Sequence, residues 1–515
     1  MDNQVGTRKK NVFDYFLTGV EVVGNKIPDP MLLFVYLSVV TILLSLLLSA
    51  IGFSAVNPTT GKTVSVFNLF SRAGFIKIVT TAIKNFTDMP ALGMVLVCML
   101  GVGMCDKSGL FSVELHNMVE RSKGSDIKII IIFSFACIMA DAAGGTGFVV
   151  MPPLGAMIFL AMGRNPIAGM MCAYASVSGA FASNLLVTSM DVVNLSFTEV
   201  GAKLADPDIA LSPAMNYYFS AFSVFTLTVI SVFVTTHIIE PRLGSYQSRH
   251  GEYHEMHSIT IKEKKAVKAA NIGVLIYIAV ILALVLPSNG VFRDMTTGSA
   301  ITSAAPLMKS LPLLIALLFF IPGSIFGLKS GNFKGFKGIA DALGRSMAEM
   351  GPYIALIFFI SQFLQYFKWS NIGIILAIKG ANALQSSGFP IWIVLLLFVI
   401  MCALINLVIG GASTKWAILS PVFVPMFMFL GYHPALAQMA YRIGDSITNP
   451  ICPTFAYFGM LLALVQKYDK NSGIGTLMAN MLPYSIAFFC CMILQLLIWF
   501  FLKIPFGPGA PLYLS

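Results

Sequence analysis

Long runs of apolar residues alternate with short polar segments along almost the whole chain. A helix of about 20 apolar residues is long enough to cross a bilayer. The first run begins at Pro30, after a polar and basic start, and we expect a retained first helix rather than a cleaved signal peptide. In total we predict nine transmembrane spans, at 30–52, 88–105, 166–190, 214–239, 270–287, 311–328, 350–367, 435–465 and 481–503.

Two further apolar regions, 127–163 and 390–431, are each divided by a short glycine-rich segment. The dividing sequences are GGTG (Gly144 to Gly147) and GGAST (Gly410 to Thr414). Arms of about 16 residues form helices about 24 Å long, which is shorter than a hydrocarbon core of about 30 Å. We therefore predict two re-entrant hairpins. Two closely spaced pairs of full spans are the alternative, which the long first arm of the second region also allows.

The same order of elements occurs twice, in 88–240 and in 350–515. Each unit has a span, an amphipathic stretch, a hairpin, a broken span and a final span. Because the first hairpin is predicted to enter from the inside and the second from the outside, the two units are inverted. Inverted repeats with interrupted helices are typical of secondary transporters. We predict an all-α polytopic membrane protein in which segment 1–87 precedes the first unit and 241–349 links the two.

Composition and charge agree with a membrane protein. The 515 residues are 57% hydrophobic and 11% charged, whereas soluble domains carry about 25% charged residues. The net charge of +10 does not call for nucleic acid, since lysine and arginine concentrate in cytoplasmic loops of membrane proteins. Most basic residues, including those of loop 241–269, lie on the same side of the predicted membrane as the N-terminus. We expect a cytoplasmic N-terminus and an external C-terminus.

Enzymatic and metal chemistry find little support in the motifs. The eight cysteines lie in or beside apolar spans without a C-x-x-C pair, so neither a disulfide framework nor a zinc site is expected. HEMH (His254 to His257) lacks the spacing of a zinc protease and is interpreted as loop. No P-loop and no nucleophile–base pair is evident. We therefore predict no enzyme, and a membrane-embedded enzyme is kept as the alternative from another class.

The most polar segment inside an apolar region is YRIGDSITNPICP, residues 441–453. Arg442 and Asp445 are spaced i, i+3 and therefore share a helical face, and the two prolines prevent a regular helix beyond them. Ionisable residues at membrane depth indicate a functional site by default. The alternative is a structural Arg–Asp pair that only fixes helix packing.

Several oxygen-bearing groups near this segment could hold a coupling cation. They are Asp445, Asn406, Asn449 and the carbonyls freed at the tip glycines Gly410 and Gly144. Irregular backbone at membrane depth is tolerated where it is buried in protein or lines a cavity. We predict a sodium or proton coupling site there, with no other cofactor.

Candidate substrate residues come from both units. Ser413 lies at the second tip, and Trp416 begins the following arm, where its ring could form an aromatic wall with Phe423; ordinary packing is the alternative. In the first unit Asn184 is the counterpart of Asn449. Asp191 follows near the predicted outer boundary, where a plain loop carboxylate is also possible. Ser176 and Ser178 could simply allow close helix contact.

The stretches GGTGFVVMPPLGAMIF, GGASTKWAILSPVFVPMF and YRIGDSITNPICP resemble the signature regions of the AbgT family, the p-aminobenzoyl-glutamate transporters. The resemblance covers nearly the whole chain. It implies a homodimer in a bacterial inner membrane, with nine spans and two hairpins in each protomer. It implies an inner core that forms the dimer interface and an outer core that contains the pathway.

The resemblance also implies a substrate and site residues. The substrate would be p-aminobenzoyl-glutamate or a sulfonamide antifolate, moved with a sodium or proton gradient. A dicarboxylate or citrate carrier of the same architecture is the alternative. The positions that match the family's functional residues are Asp191, Asn406, Trp416, Pro434, Arg442 and Asp445, with a weaker match at Pro453.

Overall fold

The computed structural model describes residues 30–58, 61–120, 126–143, 145–244, 246, 259–300, 305–409, 411–453, 455 and 457–514. The predicted tip glycines Gly144 and Gly410, the HEMH segment and the rest of residues 247–258 of the basic loop lie outside the described residues.

The described residues are predominantly helical, as predicted. The helices before residue 300 are α1 (Pro30–Ala50), α2 (Arg72–Thr87), α3 (Pro90–Ser108), α4 (Leu110–Glu120), α5 (Asp126–Met139), α6 (Gly145–Ala161), α7 (Pro166–Gly179), α8 (Ser189–Ala205), α9 (Tyr217–Val234), α10 (Glu240–Leu243) and α11 (Ile261–Val285). Those after it are α12 (Pro306–Lys309), α13 (Leu311–Ser330), α14 (Gly335–Glu349), α15 (Gly351–Trp369), α16 (Ile372–Ser387), α17 (Ile391–Val408), α18 (Ala412–Phe429), α19 (Pro434–Ile447), α20 (Phe458–Val465) and α21 (Ile474–Phe501). Single turns of other helix types occupy Ala140–Ala143, Thr235–Ile239 and Asn449–Ile451. A small antiparallel hairpin joins β1 (Ser54–Val56) to β2 (Thr63–Ser65).

Membrane-spanning capacity is concentrated in a few long helices. Within the described ranges, eight helical stretches are long and apolar enough to cross a membrane, or nine if α14 and α15, bent by 43°, form one span. The predicted spans 166–190 and 435–465 are not continuous helices. The helix α7 ends at Gly179, and α19 ends at Ile447, after 14 residues in each case. At 1.5 Å per residue each is about 21 Å long, too short to cross alone.

The two regions predicted as hairpins form the helix pairs α5 with α6 and α17 with α18. Both α17 and α18 are among the eight stretches long enough to span, so the re-entrant course of the second pair stays a prediction. The arms α5 and α6 have 14 and 17 residues, whereas α17 and α18 have 18 each, or about 27 Å. Asn406, near the end of α17, is buried, and its Nδ2 donates to the Asp445 carbonyl oxygen, 2.6 Å away. The second tip therefore meets α19 close to its break.

The element order predicted for the two units is observed. The helices α3 to α9 follow the same sequence of hairpin and broken helix as α15 to α21. Each unit is preceded by an amphipathic helix, α2 or α14, which run length did not predict because each mixes polar residues with apolar ones. The exact unit boundaries and their inverted orientation stay predictions.

A glycine allows α19 to approach the second hairpin closely. A Cβ atom added at Gly444 would lie 2.5 Å from the carbonyl oxygen of Val399 on α17 and 2.6 Å from the Cβ of Cys402. Any larger residue at 444 would push α17 away, and with it the tip that follows.

The segment after α21 folds back onto the protein. The amide of Tyr218, at the start of α9, donates to the Phe506 carbonyl at 2.9 Å. The amide of His433 donates to Leu512, and the amide of Leu514 donates to Gly431, each at 3.0 Å. This C-terminal strap thus contacts the first unit and the α18–α19 connection of the second unit.

Candidate functional site

A cavity of about 300 Å³ lies where the second hairpin tip meets the breaks after α7 and α19. Its volume is at the low end for small-molecule sites in proteins. The lining comes from both hairpins and both breaks: Phe148, Phe181, Ser189, Met190, Gly411, Ala412, Ser413, Lys415, Asp445, Asn449, Phe455 and Tyr457.

A second, larger cavity of about 540 Å³ lies between α4, α11 and α13. Its walls are mainly leucine, isoleucine and phenylalanine, and its polar edge is Glu114, which accepts from Asn271 Nδ2 at 2.7 Å. None of the residues predicted to bind substrate or cation lines it. The smaller cavity, which holds charged groups, is therefore the candidate site.

Arg442 pairs across the molecule with Asp191. The Nη1 atom of Arg442 lies 2.5 Å from Asp191 Oδ1, and both side chains are buried. The other oxygen of Asp191 accepts from the backbone amide of Thr188 at 2.6 Å and from its hydroxyl at 3.0 Å. Asp191 therefore caps the first turn of α8, where it is the third residue, and holds Arg442 at the same time. A plain loop role for Asp191 is wrong.

The partner of Asp445 is Lys415, a residue that was not among the predicted site residues. The Lys415 ammonium lies 2.5 Å from Asp445 Oδ1, and the two side chains are 2% and 4% exposed. The same ammonium also donates to Asn406 Oδ1. The alternative of an Arg442–Asp445 pair is wrong, because each of these side chains pairs with a different residue.

Asn406 organises the hairpin tip around this ion pair. Its Nδ2 lies 2.8 Å from the Asn449 side-chain oxygen and 2.8 Å from the Thr448 hydroxyl, as well as facing the Asp445 carbonyl. Asn449 in turn donates to the Ser178 carbonyl of α7 at 3.1 Å. The predicted cation residues Asp445, Asn406 and Asn449 are thus brought together within the second unit, and Asn449 connects them to the first.

These oxygens suit a small monovalent cation. One carboxylate and two amide oxygens are hard ligands of the kind that alkali ions accept, and the Lys415 ammonium already contacts Asp445 and Asn406. Among the described residues no group of three or more His, Cys, Asp and Glu side chains is placed to hold a metal ion.

Trp416 does not face the cavity. Its ring is buried and stacks on Tyr441, with 4.4 Å between centroids. Its indole N–H donates to the Thr198 hydroxyl of α8 at 2.8 Å. Phe423 packs on Phe398 of α17 at 4.5 Å. The predicted aromatic wall of Trp416 and Phe423 is therefore wrong, and Trp416 instead joins α18 to α8.

Four other aromatic side chains form the wall that the prediction sought. Phe148 and Tyr457 stack with centroids 4.4 Å apart and an interplanar angle of 0°. Phe455 lies 5.3 Å from Phe148, and Phe181 also lines the cavity. Their positions in the sequence could have identified them, because each lies next to a glycine tip or in a helix break, where a side chain can enter a cavity.

The remaining predicted residues fall in different places. Ser413 lines the cavity. Pro434 is buried at the first turn of α19, which His433 caps by accepting from Ala435 N at 3.1 Å, and it does not line the cavity. Asn184 accepts from Leu186 N at 3.0 Å, and its Nδ2 lies 3.4 Å from the Met139 carbonyl at the end of α5. That contact with the first hairpin matches the Asn449 contact with the second. Pro453 follows the break of α19, half-buried.

Comparisons with known proteins agree along nearly the whole chain. The family described as "AbgT putative transporter family" matches residues 15–514. The p-aminobenzoyl-glutamate transport protein of Escherichia coli (strain K12) is 36% identical over 495 residues, which are 95% of this chain and 95% of that protein.

Two solved structures share the fold. The YdaH transporter of Alcanivorax borkumensis, whose crystal structure is described as revealing an unusual topology, aligns with a TM-score of 0.88 and 37% identity over 93% of this chain and 100% of that one. MtrF of Neisseria gonorrhoeae, described as illuminating a class of antimetabolite efflux pumps, aligns with a TM-score of 0.90 and 38% identity over 96% of this chain and 100% of that one.

Proposed function

Since the chain belongs to the AbgT family of membrane transporters, we propose that it moves p-aminobenzoyl-glutamate, or a related aryl compound such as a sulfonamide antifolate, by alternating access coupled to a sodium or proton gradient. The Escherichia coli relative is named for p-aminobenzoyl-glutamate, and MtrF is described as an antimetabolite efflux pump. Relatives with these names are transporters rather than enzymes.

The observation that carries the substrate proposal is the pairing of aromatic rings and a lysine in one cavity. Phe148, Phe455 and Tyr457 offer faces for an aryl ring, and offset or edge contacts between rings favour binding. Lys415 lines the same cavity, and an ammonium is suited to a carboxylate. Arg442 is a second buried cation, held by Asp191.

Coupling is proposed to act through Asp445 and Asn406. Monovalent cations and substrate would meet in the same cavity, so that binding of one changes the affinity for the other. The two breaks and the two hairpin tips supply irregular backbone at membrane depth, which is the arrangement used in transporters whose halves rock around a fixed site. A homodimer in a bacterial inner membrane, with the N-terminus in the cytoplasm, completes the proposal.

The test is transport in proteoliposomes with sodium and pH gradients imposed separately. We expect labelled p-aminobenzoyl-glutamate or a sulfonamide to move against its gradient under at least one of them. The Asp445→Ala variant is expected to lose gradient dependence, whereas Asp208→Ala, at an exposed loop carboxylate, is expected to behave as wild type. Absence of substrate movement under both gradients would refute the proposal.

Competition distinguishes the related dicarboxylate carrier. If the aromatic wall binds a ring, then glutamate and citrate should compete poorly, and p-aminobenzoate derivatives should compete well. Strong inhibition by aliphatic dicarboxylates alone would favour the carrier reading instead.

A further inference from the structure

Neither the helix dipole nor burial favours a lysine at position 415. It lies in the first turn of α18 (Ala412–Phe429), where the positive end of the helix dipole disfavours a cation. It is almost completely buried in an otherwise apolar helix of the second hairpin. A buried ion pair gains little stability over an apolar pair of similar volume. Its position therefore points to a role in the site rather than in folding.

The ammonium of Lys415 contacts the atoms that were predicted to bind a cation. It lies 2.5 Å from Asp445 Oδ1 and donates to Asn406 Oδ1. A sodium ion at these oxygens and the ammonium cannot occupy the same space. Lysine carries its charge on a flexible four-carbon stem, and Lys415 lines the cavity, so the ammonium can leave Asp445 without leaving the site.

We propose that Lys415 is a tethered cation that competes with the coupling cation for Asp445 and Asn406, and that its displaced ammonium becomes the partner of a substrate carboxylate. This inference rests on the proposed function. In the absence of the coupling cation Lys415 neutralises Asp445. When sodium takes Asp445, the ammonium turns towards the cavity lined by Phe455 and Tyr457.

Charge balance supports this exchange. Within the site, Lys415 and Arg442 are matched by Asp445 and Asp191. A carboxylate that enters alone would leave an uncompensated negative charge in a buried cavity, which is costly. One substrate carboxylate that enters with one monovalent cation restores the balance, with sodium on Asp445 and that carboxylate on Lys415. The second carboxylate of p-aminobenzoyl-glutamate requires a further cation. Cation and substrate therefore bind more tightly together than apart.

The test is a sodium titration of purified protein at constant pH and ionic strength, with N-methylglucamine as the replacement cation and thermal stability as the readout. Lys415→Met keeps the length of the side chain and removes the competing ammonium. We expect its half-saturating sodium concentration to be at least about tenfold lower than in wild type. A competitor leaves only the unoccupied fraction of sites open to sodium, and the apparent affinity for sodium falls in proportion to that fraction. Lys203→Met, at an exposed lysine of α8 that pairs with Glu199, should match wild type.

Two further variants separate competition from a structural effect. Lys415→Met/Asp445→Asn removes both charges, which should preserve folding and abolish the sodium response. Lys415→Ala leaves space for a free amine, so ethylammonium should stabilise this variant and raise the sodium concentration needed for half-saturation. A purely structural lysine would not produce competition between ethylammonium and sodium.

An unchanged or higher half-saturating sodium concentration in Lys415→Met would overturn the proposal, as would the absence of any sodium response in that variant. In either case, gradient-driven substrate uptake by the wild-type protein would leave the transport function standing. Loss of uptake in wild type, with the expected sodium shift intact, would instead refute the transport proposal alone.

Discussion

Neutralising Asp191 should destabilise the protein strongly, because its two oxygens serve two different partners. Oδ1 faces Arg442 Nη1 at 2.5 Å, and Oδ2 accepts from the Thr188 amide at 2.6 Å. In Asp191→Asn one of these oxygens becomes an NH₂ group, which would point a donor at a donor. Either Arg442 is left as an unpaired buried charge or α8 loses its N-terminal acceptor.

The magnitude follows from the ion-pair distance. At 2.5 Å and an effective dielectric constant of about 20, the attraction is about 7 kcal/mol before desolvation is subtracted. Removing one partner of a buried pair is found to cost about 3–5 kcal/mol. We expect Asp191→Asn to lower the free energy of unfolding by that amount, and Arg442→Gln to do the same by stranding Asp191.

The assay is a double-mutant cycle on the free energy of unfolding in detergent. Asp191→Asn/Arg442→Gln replaces the ion pair by two amides that can hydrogen-bond, so the double variant should be more stable than either single variant. Their interaction energy should be several kcal/mol, well above the range of about 0.5 kcal/mol expected for independent sites. Additive losses would show that Asp191 and Arg442 do not act as a pair, and the reasoning would then be wrong.

Four other predictions concern single residues. Trp416→Phe keeps the stacking on Tyr441 and loses the 2.8 Å hydrogen bond to Thr198. The free energy of unfolding should therefore fall by about 1 kcal/mol, with little change in substrate affinity. Tyr457→Leu should weaken aryl substrate binding roughly fivefold, measured by competition with p-aminobenzoate derivatives. Gly444→Ala would place a Cβ 2.5 Å from Val399 O and should cost about 1–3 kcal/mol in thermal unfolding, while Gly459→Ala, with open space around it, should be neutral or slightly stabilising. Burial lowers the pKa of His433, in the α18–α19 connection, to about 4. In the unfolded chain this imidazole takes up a proton near pH 6.5, so the free energy of unfolding should fall as the pH is lowered from about 6.5 towards 4. His433→Gln should remove that part of the pH dependence.

Run length and helix-breaking residues predicted most of the fold. The prolines after Asp445 and the glycine tips predicted breaks in the helices, and the helices of the structure end at these places. The break after Gly179 had a weaker signal, since Phe181 to Thr188 contain neither proline nor charge. A helix there is ended by contacts elsewhere in the molecule, which apolar periodicity does not record.

Partner choice was the part of the site that could not be predicted. The i, i+3 spacing of Arg442 and Asp445 favours a local pair, yet Arg442 turns to Asp191, which is 251 positions away. Lys415 has no acidic residue within four positions in the sequence, so its pairing with Asp445 depends on how α18 and α19 pack. In the same way, Trp416 is the most conspicuous aromatic residue of the second unit, but its indole N–H finds Thr198 and draws the ring into the core.

The C-terminal strap has a mechanical consequence. It bonds to Tyr218 at the start of α9 in the first unit and to Gly431 and His433 in the second, so the two units are fastened together at this face. Any rotation of one unit against the other has its smallest displacement at a fastened point and its largest at the far end. If the two units move against each other during transport, the strap restrains that movement at this face, and removal of the chain from Phe506 onwards would release the restraint.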